Sequence, residues 1–374
     1  MRRILVTGGA GFIGSHLADL LLARGYRVRA LDSLLPQVHG EAQRRPAYLA
    51  PEVELVRGDV RDPLAVRRAL AEGGPVDAVV HLAAAVGVGQ SMYQIAEYTA
   101  VNELGTAVLL EALAANPAGR LVVASSMSVY GEGLARGPDG DPAEPGERDP
   151  EALRRHRWEP EGPGGGPLEP VPTAEMKRPA LTSVYALGKY AQERLCLIWG
   201  RAYGVPTTAL RLFNVYGTRQ ALSNPYTGVL AIFASRLLNG NAPMIFEDGR
   251  QRRDFVHVRD VARACLLALE RPQAAGEVVN VGSGIPRTVE EVARGIAEAV
   301  GRPDLRPRVT GRYRVGDIRH CYADTARARE LLGFEAREDF AAGLAELAGW
   351  LAGEVAVDRV DQATDELARR GLVA

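Results

Sequence analysis

Short apolar runs alternate with stretches of helical apolar spacing over the first 130 residues of the chain. In the stretch Ile13 to Ala23, for example, Leu17, Leu20 and Leu21 recur at helical intervals. The apolar runs have the length of buried strands and lie at residues 4–6, 27–31, 53–56, 78–82 and 121–124. Strands that alternate with helices in this way predict an α/β fold with a doubly wound parallel sheet.

The pattern breaks between Gly131 and Pro179, where Gly, Pro, Glu and Arg are dense, and this composition predicts a long, mobile surface insertion. Regular spacing then returns. It predicts helices at residues 183–203, 229–238, 261–269, 340–351 and 360–367, a strand at 207–213 and a loop at 247–253. We therefore predict one domain over 1–180, including the insertion at about 131–180. Residues 181–374 would complete its core (about 181–215 and 255–270) and form a smaller C-terminal α/β substrate-binding domain.

Composition narrows the class of protein. The chain has 47% hydrophobic and 24% charged residues, which is typical of a globular protein. Its length of 374 residues suits two domains, or one large domain with an appendage. The 45 basic and 46 acidic residues balance, which argues against nucleic-acid or membrane-surface partners. Three scattered cysteines predict free thiols in a reducing compartment, and no apolar run is long enough to span a bilayer, so we expect a cytoplasmic protein. The chain has only two lysines, Lys177 and Lys189.

A glycine-rich loop, Thr7 to Gly14, stands between the first predicted strand and the first helix. Its glycines allow a tight turn, close approach of backbone amides to a pyrophosphate and close packing of the helix, whose N-terminus favours negative charge. The next strand ends in Asp32, where a carboxylate can bind both hydroxyls of an adenosine ribose and would repel a 2′-phosphate. The loop therefore predicts a Rossmann-type domain that binds NAD rather than NADP.

Further polar positions follow the later strands. Asp59 lies where an acidic side chain can meet an adenine amine, and the small residues after His81 suit a backbone that lies against a cofactor. His81 itself is better explained as a packing histidine, and Asn102 either holds structure near the site or is an ordinary polar helix position.

Tyr185 and Lys189 are four residues apart and therefore share one helix face. An ammonium beside a phenol favours the phenolate, which would bring the pKa of the tyrosine from about 10 towards working pH and make it a proton acceptor. Ser126 ends the fifth predicted strand. The chain has only two lysines, and one of them stands four residues after Tyr185, downstream of a cofactor loop. This argues against a chance Tyr and Lys pair on a surface helix.

Together these residues resemble the extended short-chain dehydrogenase/reductases, and specifically the NAD-dependent epimerase/dehydratase family that acts on nucleotide sugars. The resemblance covers residues 2–334 and includes the segments at 8–14, 32, 58–60, 81–84, 125–126, 185–189, 211–217, 253–258 and 314–317. It implies NAD as cofactor, a nucleotide-diphosphate sugar as substrate, and a homodimer built by pairing the helix after the fourth strand with the Tyr185 helix.

The resemblance also implies roles for single residues. Ser126 and Tyr185 would address the sugar hydroxyl, and Lys189 would support both Tyr185 and the nicotinamide ribose. The predicted cofactor-binding residues are Gly8, Gly11, Phe12, Ile13, Gly14, Asp32, Asp59, Val60, Leu82, Ala83, Ala84, Asn102, Tyr185, Lys189 and Phe213. The predicted substrate-binding residues are Ser126, Ser128, Asn214, Phe246, Arg253, Arg314 and Asp317. Arginine forks suit a diphosphate, although Arg253 and Arg314 would also fit as surface residues, and Phe246 as a core aromatic.

The residues after Ser126 bear on the reaction. Family members that dehydrate the sugar usually carry Asp-Glu where this chain has Met127-Ser128, and members that decarboxylate a uronic acid usually carry Glu at the second position. Because neither carboxylate is present, the reaction that remains is a 4-epimerisation, in which the sugar is oxidised and reduced again without a further acid or base. The insertion resembles that of dTDP-L-rhamnose 4-epimerases, which favours a dTDP-6-deoxyhexose, but the cysteines common there are missing, so we predict no metal.

Several alternatives stay open from the sequence. The chain could act on UDP-galactose or UDP-glucuronate, or it could be a one-way 4-ketoreductase that exchanges NAD(H). A non-catalytic NAD-binding scaffold is a more distant alternative, because Tyr185 and Lys189 are both present. The segment 223–228 is expected to line the sugar pocket.

Overall fold

The computed structural model describes residues 2–162, 165–166, 168–226, 228–354 and 357–374. Its strands are β1 (Arg3–Thr7), β2 (Arg27–Asp32), β3 (Glu54–Arg57), β4 (Ala78–His81), β5 (Leu121–Ser126), β6 (Ala135–Arg136), β7 (Pro142–Ala143), β8 (Glu169–Pro170), β9 (Thr207–Leu212), β10 (Asn214–Tyr216), β11 (Met244–Ile245), β12 (Arg252–His257), β13 (Val278–Val281), β14 (Pro286–Thr288), β15 (Arg308–Val309) and β16 (His320–Cys321). Its helices are α1 (Phe12–Ala23), α2 (Pro36–His39), α3 (Pro63–Ala71), α4 (Val88–Ser91), α5 (Ile95–Thr99), α6 (Gly105–Ala115), α7 (Pro150–Arg154), α8 (Val184–Tyr203), α9 (Val229–Leu238), α10 (Val258–Glu270), α11 (Val289–Ala299), α12 (Ala326–Leu332), α13 (Phe340–Leu351) and α14 (Val360–Arg369). A π-helical turn (Ala100–Leu104) joins α5 to α6, and 3₁₀ turns follow β5 (Met127–Tyr130) and α10 (Pro272–Ala274).

Seven parallel strands form the main sheet of the described chain, in the order β3-β2-β1-β4-β5-β9-β13. The strand order reverses at β1, which has β2 on one side and β4 on the other. Ligands of such sheets bind outside the carboxyl ends of the strands at this reversal. The predicted α/β fold of the Rossmann type is thereby confirmed.

Helices cover both faces of the main sheet, which explains why its strands read as continuous apolar runs. Along β1, Ile4 and Val6 join the core under α1 and α10, whereas Leu5 joins the core under α3, α6 and α8. Successive side chains of a strand point to opposite faces, so one short apolar segment supplies both cores. The strand ends are thereby held rigidly where the loops of the site begin.

A smaller C-terminal unit packs beside this sheet. Strands β10, β12 and β14 form its sheet, with β16 paired to β12, and its core holds Phe233, Ile296 and Leu347 from α9, α11 and α13. The main sheet also includes β13, which pairs with β9 and lies beyond the predicted core segments at about 181–215 and 255–270. The loop predicted at 247–253 ends two residues earlier than expected, because Arg252 and Arg253 begin strand β12.

The insertion is more ordered than its composition predicts. It forms a three-stranded sheet in the order β7-β6-β8 and the helix α7, and Glu132, Thr173 and Lys177 are buried. Charged partners elsewhere in the fold contact the described part, although most of its residues lie at the surface as expected. Three insertion residues, Pro163, Gly164 and Pro167, lie outside the described residues. None of the helices described is both long and apolar enough to traverse a bilayer.

Candidate active site

A cavity of about 810 Å³ lies at the carboxyl ends of the central strands, between the two units. It brings together most of the site residues predicted from the sequence. Those that line it are Gly8, Gly11, Phe12, Ile13, Gly14, Asp32, Asp59, Val60, Leu82, Ala83, Ala84, Ser126, Ser128, Tyr185, Lys189, Phe213 and Asn214.

The glycine-rich loop is shaped by close backbone contacts. Gly8 has a positive φ of 68°, and its amide donates to the carbonyl of Leu31 over 2.8 Å. A Cβ on Gly14 would lie 2.2 Å from the carbonyl oxygen of Gly8, so only glycine allows α1 to approach the loop this closely. A Cβ on Gly8 would in turn press on the backbone of Ala83 at 3.0 Å. The loop therefore has the cradle that a dinucleotide pyrophosphate requires.

Asp32 is held at the end of β2 by backbone donors. Its Oδ2 accepts from the amide of Ala10 at 3.0 Å, and its Oδ1 accepts from the amide of Leu34 at 3.0 Å. The carboxylate lines the cavity and is 8% exposed. A carboxyl acceptor fixed at this place fits an adenosine ribose with free hydroxyls, which agrees with NAD.

Asp59 lines the same half of the cavity together with Arg61, which the sequence analysis missed. The guanidinium of Arg61 lies 2.7 Å from Asp59 and 2.9 Å from Glu97. Burial acts to raise the pKa of Asp59, but the hydrogen bonds and charge of Arg61 outweigh it and lower that pKa. Asp59 is therefore an anion, available as an acceptor.

Ser126, Tyr185 and Lys189 converge on the opposite half of the cavity. Helix α8 begins one residue before the tyrosine, capped by Ser183, and the amide of Tyr185 donates to Ser91 Oγ over 3.1 Å. Ser126 hydrogen-bonds the Tyr185 hydroxyl. Ser126 Oγ also lies 2.9 Å from Ser128 Oγ, so two hydroxyls face the tyrosine side of the cavity.

The pKa values of this group differ from the expectation. Burial raises the pKa of Tyr185 above its ordinary value, and the hydrogen bond with Ser126 opposes that rise. Burial also lowers the pKa of Lys189 to about 8. The predicted fall in the Tyr185 pKa is absent because loss of water around the phenol dominates, while the Lys189 ammonium donates to Gln192 Oε1 over 2.7 Å.

Asn102, predicted to bind the cofactor, does not line the cavity. Its side chain is fully buried, accepts from the amide of Ala85 at 2.8 Å and donates to the Ala85 carbonyl at 3.1 Å. The residue therefore fixes the loop after β4, whose backbone forms the cavity wall. This is the structural role that the sequence left open.

Asn214, predicted near the diphosphate and ribose of the substrate, lines the cavity. The other predicted diphosphate and base residues form a separate group in the smaller unit and do not line it, namely Phe246, Arg253, Arg314 and Asp317. The Arg253 guanidinium donates to the carbonyl of Arg319 at 2.8 Å and lies 3.5 Å from Asp317. The Arg314 guanidinium stacks 4.4 Å from the ring centre of Phe246. Of the described groups, none hydrogen-bonds the buried Arg314 Nε.

Comparison with known proteins decides the family. A model of the NAD dependent epimerase/dehydratase family matches residues 4–152 and 164–282. The chain belongs to this family. It is 37% identical to the dTDP-L-rhamnose 4-epimerase of Burkholderia thailandensis, over 95% of this chain and 96% of that protein.

Solved structures agree with this epimerase/dehydratase family assignment. The UDP-glucose 4-epimerase of Thermotoga maritima, solved with UDP-glucose, has a TM-score of 0.76 and 31% identity, covering 94% of this chain and 98% of that one. The UDP-glucose 4-epimerase of Thermus thermophilus, solved with NAD, has a TM-score of 0.73 and 32% identity, covering 94% and 100%. The chain is thus an NAD-dependent enzyme of the nucleotide-sugar 4-epimerase type.

In this epimerase/dehydratase family member, a group of neutral polar side chains that the sequence analysis largely missed lines the cavity beside Tyr185. Gln37 donates to Asn224 at 2.9 Å and to Gln90 at 3.1 Å, and the Tyr98 hydroxyl donates to Gln90 at 3.1 Å. Tyr226 also lines the cavity, as segment 223–228 was expected to do, although Thr227 lies outside the described residues. No local motif marks these three amides, because they come from three separate segments.

Proposed function

We propose that this chain is a nucleotide-sugar 4-epimerase that acts on a dTDP-6-deoxyhexose such as dTDP-L-rhamnose. Tightly bound NAD takes a hydride from C4 of the sugar and returns it to the opposite face, so no external reductant is consumed. The observation that carries the proposal is the meeting of Ser126, Tyr185 and Lys189 in one cavity with the dinucleotide loop.

The protein's own groups handle the proton of the sugar hydroxyl. Tyr185, as phenolate, accepts the proton of O4 while C4 is oxidised, and it returns that proton when C4 is reduced. Ser126 donates a hydrogen bond to the ketone oxygen that forms. Burial raises the pKa of Tyr185 and the hydrogen bond with Ser126 opposes that rise. The proposal assigns to Lys189 the positive charge that favours the phenolate.

The surroundings of Ser126 favour epimerisation over dehydration or decarboxylation. Met127 and Ser128 form the 3₁₀ turn that follows and supply no carboxylate. The nearby Glu193 is bonded to Arg211 at 2.7 Å and to Ser125 at 2.7 Å, so it is committed elsewhere. Asp32, Asp59 and Glu97, the carboxylates among the described lining residues, lie in the half assigned to the cofactor.

Charge at the sugar end favours a neutral sugar over a uronate. Gln37, Gln90, Asn224 and Tyr226 supply hydrogen bonds without charge there. The Arg61 guanidinium is paired with two carboxylates in the cofactor half. Lys189 is assigned to the catalytic tyrosine, so a uronate carboxylate would be desolvated beside these neutral side chains without a cation of its own, which is costly. Likeness to the Thermotoga maritima enzyme keeps a UDP-hexose as the second candidate.

We also propose a homodimer. The outer faces of the π-helical turn before α6 and of α8 carry large exposed apolar side chains, namely Leu104 at 54%, Leu187 at 49% and Ile198 at 49%. Pairing of these helices across a two-fold axis would bury them in a four-helix bundle.

The test is incubation of the purified protein, without added NADH, with dTDP-, UDP- and GDP-sugars. We expect an isomeric product of unchanged mass from a dTDP-6-deoxyhexose, with deuterium at C4 kept throughout. Tyr185→Phe should lower turnover by at least about 100-fold, in line with the usual contribution of a general acid-base group. Tyr203→Phe, exposed near the end of the same helix, is the matched control and should leave turnover unchanged.

Other outcomes would refute the proposal. Loss of deuterium to solvent excludes a returned hydride, and near-normal turnover of Tyr185→Phe excludes the assigned proton acceptor. A requirement for stoichiometric NADH identifies a one-way ketoreductase. Turnover of UDP-sugars alone keeps the epimerase and overturns the proposed sugar nucleotide.

A further inference from the structure

A buried polar network lies behind the catalytic lysine. Gln192, one helical turn after Lys189, is 0% exposed. Its Oε1 accepts from the Lys189 ammonium at 2.7 Å, and its Nε2 donates to Thr106 Oγ1 at 2.9 Å and to the carbonyl of Ala83 at 3.3 Å. One amide therefore joins the catalytic helix, helix α6 and the loop after β4.

The neighbours fix which way the amide points. The Ala83 carbonyl can only accept, and Thr106 gives its own proton to the carbonyl of Asn102 over 2.6 Å, so it also accepts from Gln192. A flipped amide would set its oxygen against a carbonyl and its NH₂ against an ammonium. The acceptor of Gln192 must therefore face Lys189.

The other members of the network are neutral. His81 contacts Thr7 at 2.7 Å and Thr106 at 2.9 Å, and burial together with the Lys189 charge lowers the pKa of His81 to about 3. The adjacent carboxylate, Glu193, is held by Arg211. The Lys189 ammonium is thus held by a neutral acceptor, while Glu193, whose charge favours the ammonium, is itself paired with Arg211.

We propose that Gln192 is a positioning residue that holds the Lys189 ammonium with a neutral oxygen and leaves its positive charge to act on Tyr185. A carboxylate at this place would pair with the ammonium and cancel much of its field. An apolar side chain would leave a buried ammonium proton without its acceptor. The inference rests on the proposed function, since it assigns Gln192 a purpose only if Tyr185 is the proton acceptor.

The test measures the Tyr185 hydroxyl directly. We would label the tyrosine rings of the NAD-loaded protein with ¹³C at Cζ, assign the Tyr185 signal by its loss in Tyr185→Phe, and titrate it by NMR. In Gln192→Glu we expect the midpoint of the Tyr185 titration about one pH unit higher. The new carboxylate would offset the positive charge of Lys189 that favours the phenolate, and one nearby charge moves a pKa by about this amount. The acidic limb of kcat should move with it, so that activity falls about tenfold near neutral pH and recovers at higher pH, with KM unchanged.

Gln192→Leu provides the complementary change. Loss of the acceptor further disfavours the ammonium of Lys189, so the alkaline limb of kcat should move to lower pH than in the wild type. The exposed Gln273→Glu is the matched control and should move neither limb. Folding of each variant would be checked by circular dichroism, and Gln192→Glu keeps the test decisive if the leucine variant does not fold.

Two results separate the inference from the proposed function. If Gln192→Glu titrates Tyr185 as the wild type does, while Tyr185→Phe is inactive, Gln192 has only a structural role and the proposed function survives. If Tyr185→Phe stays active, the proposed function itself fails.

Discussion

Replacement of Arg148 by alanine should detach the insertion from the rest of the fold. The guanidinium lies 3.1 Å from Glu132 and 2.8 Å from Glu247, and it donates to the carbonyl of Asp317 at 2.9 Å. Its side chain is 5% exposed, and those of the two glutamates are 5% and 2% exposed. The substitution therefore leaves two buried carboxylates without the cation between them.

The expected loss of unfolding free energy depends on the hydrogen-bond donors that Glu132 and Glu247 keep without Arg148. Breaking a buried ion pair typically costs about 3–5 kcal/mol. Glu132 keeps backbone donors from Arg319 at 2.7 Å and His320 at 3.0 Å, and Glu247 keeps the Arg319 guanidinium at 3.0 Å. These contacts place the expected loss at the lower end, about 3 kcal/mol of unfolding free energy.

The loss should depend on pH. Burial raises the pKa values of Glu132 and Glu247, even with Arg148 present. A carboxyl whose folded pKa lies above its unfolded value loses stabilisation as pH rises through the folded pKa. Without Arg148 both pKa values rise further, so the deficit should be smaller at about pH 5.5, where protonation relieves the buried charge, than at about pH 8.

Urea unfolding followed by circular dichroism measures this deficit, and the KM of the substrate reports on the Asp317 loop that Arg148 holds. Arg154→Ala is the matched control, because Arg154 lies in the same insertion and pairs with Glu151 at 61% exposure of both side chains. Its loss should stay below about 0.5 kcal/mol. Equal and small losses in the two variants, or a deficit that grows at low pH, would refute the reasoning.

Two further predictions concern cofactor and partner. Gly14→Ala would place a Cβ 2.2 Å from the backbone of Gly8, so the purified variant should carry no NAD when the supernatant of the denatured protein is assayed. Gly349→Ala, which has open space around its Cβ, should retain NAD. Equal NAD contents of the two variants would contradict the close-packing argument. Ile198→Glu should sediment as a monomer and Leu64→Glu, 68% exposed on α3, as a dimer; a dimeric Ile198→Glu would exclude the proposed interface.

The parts of the site that sequence predicts are those where one short segment carries both the chemistry and its geometry. The loop from Gly8 to Gly14 needs glycine because strand, turn and helix follow each other directly, so spacing alone reveals the cradle. Tyr185 and Lys189 share a helix face for the same local reason. Both groups line the cavity.

The insertion misled the sequence analysis because composition describes a segment in isolation. Its glycines and prolines are typical of a mobile loop, but the partners of its charges lie far along the chain. Arg319 is fully buried between Glu159 of the insertion and Glu247, and the amide of Arg319 donates to Glu132. Charge spacing within a segment gives no sign of pairs that form across more than 150 residues.

Asn102 and Gln192 extend this argument to the active site. Each follows an ordinary helical pattern, and neither stands in a motif that demands an amide. Asn102 fixes the loop at Ala85, and Gln192 binds the carbonyl of Ala83 in the same loop while its oxygen meets Lys189. Two buried amides therefore hold, from behind, the cavity wall between the cofactor and the catalytic residues. Neither amide lines the cavity. Their replacement should nevertheless change the position of the cofactor relative to the proton acceptor.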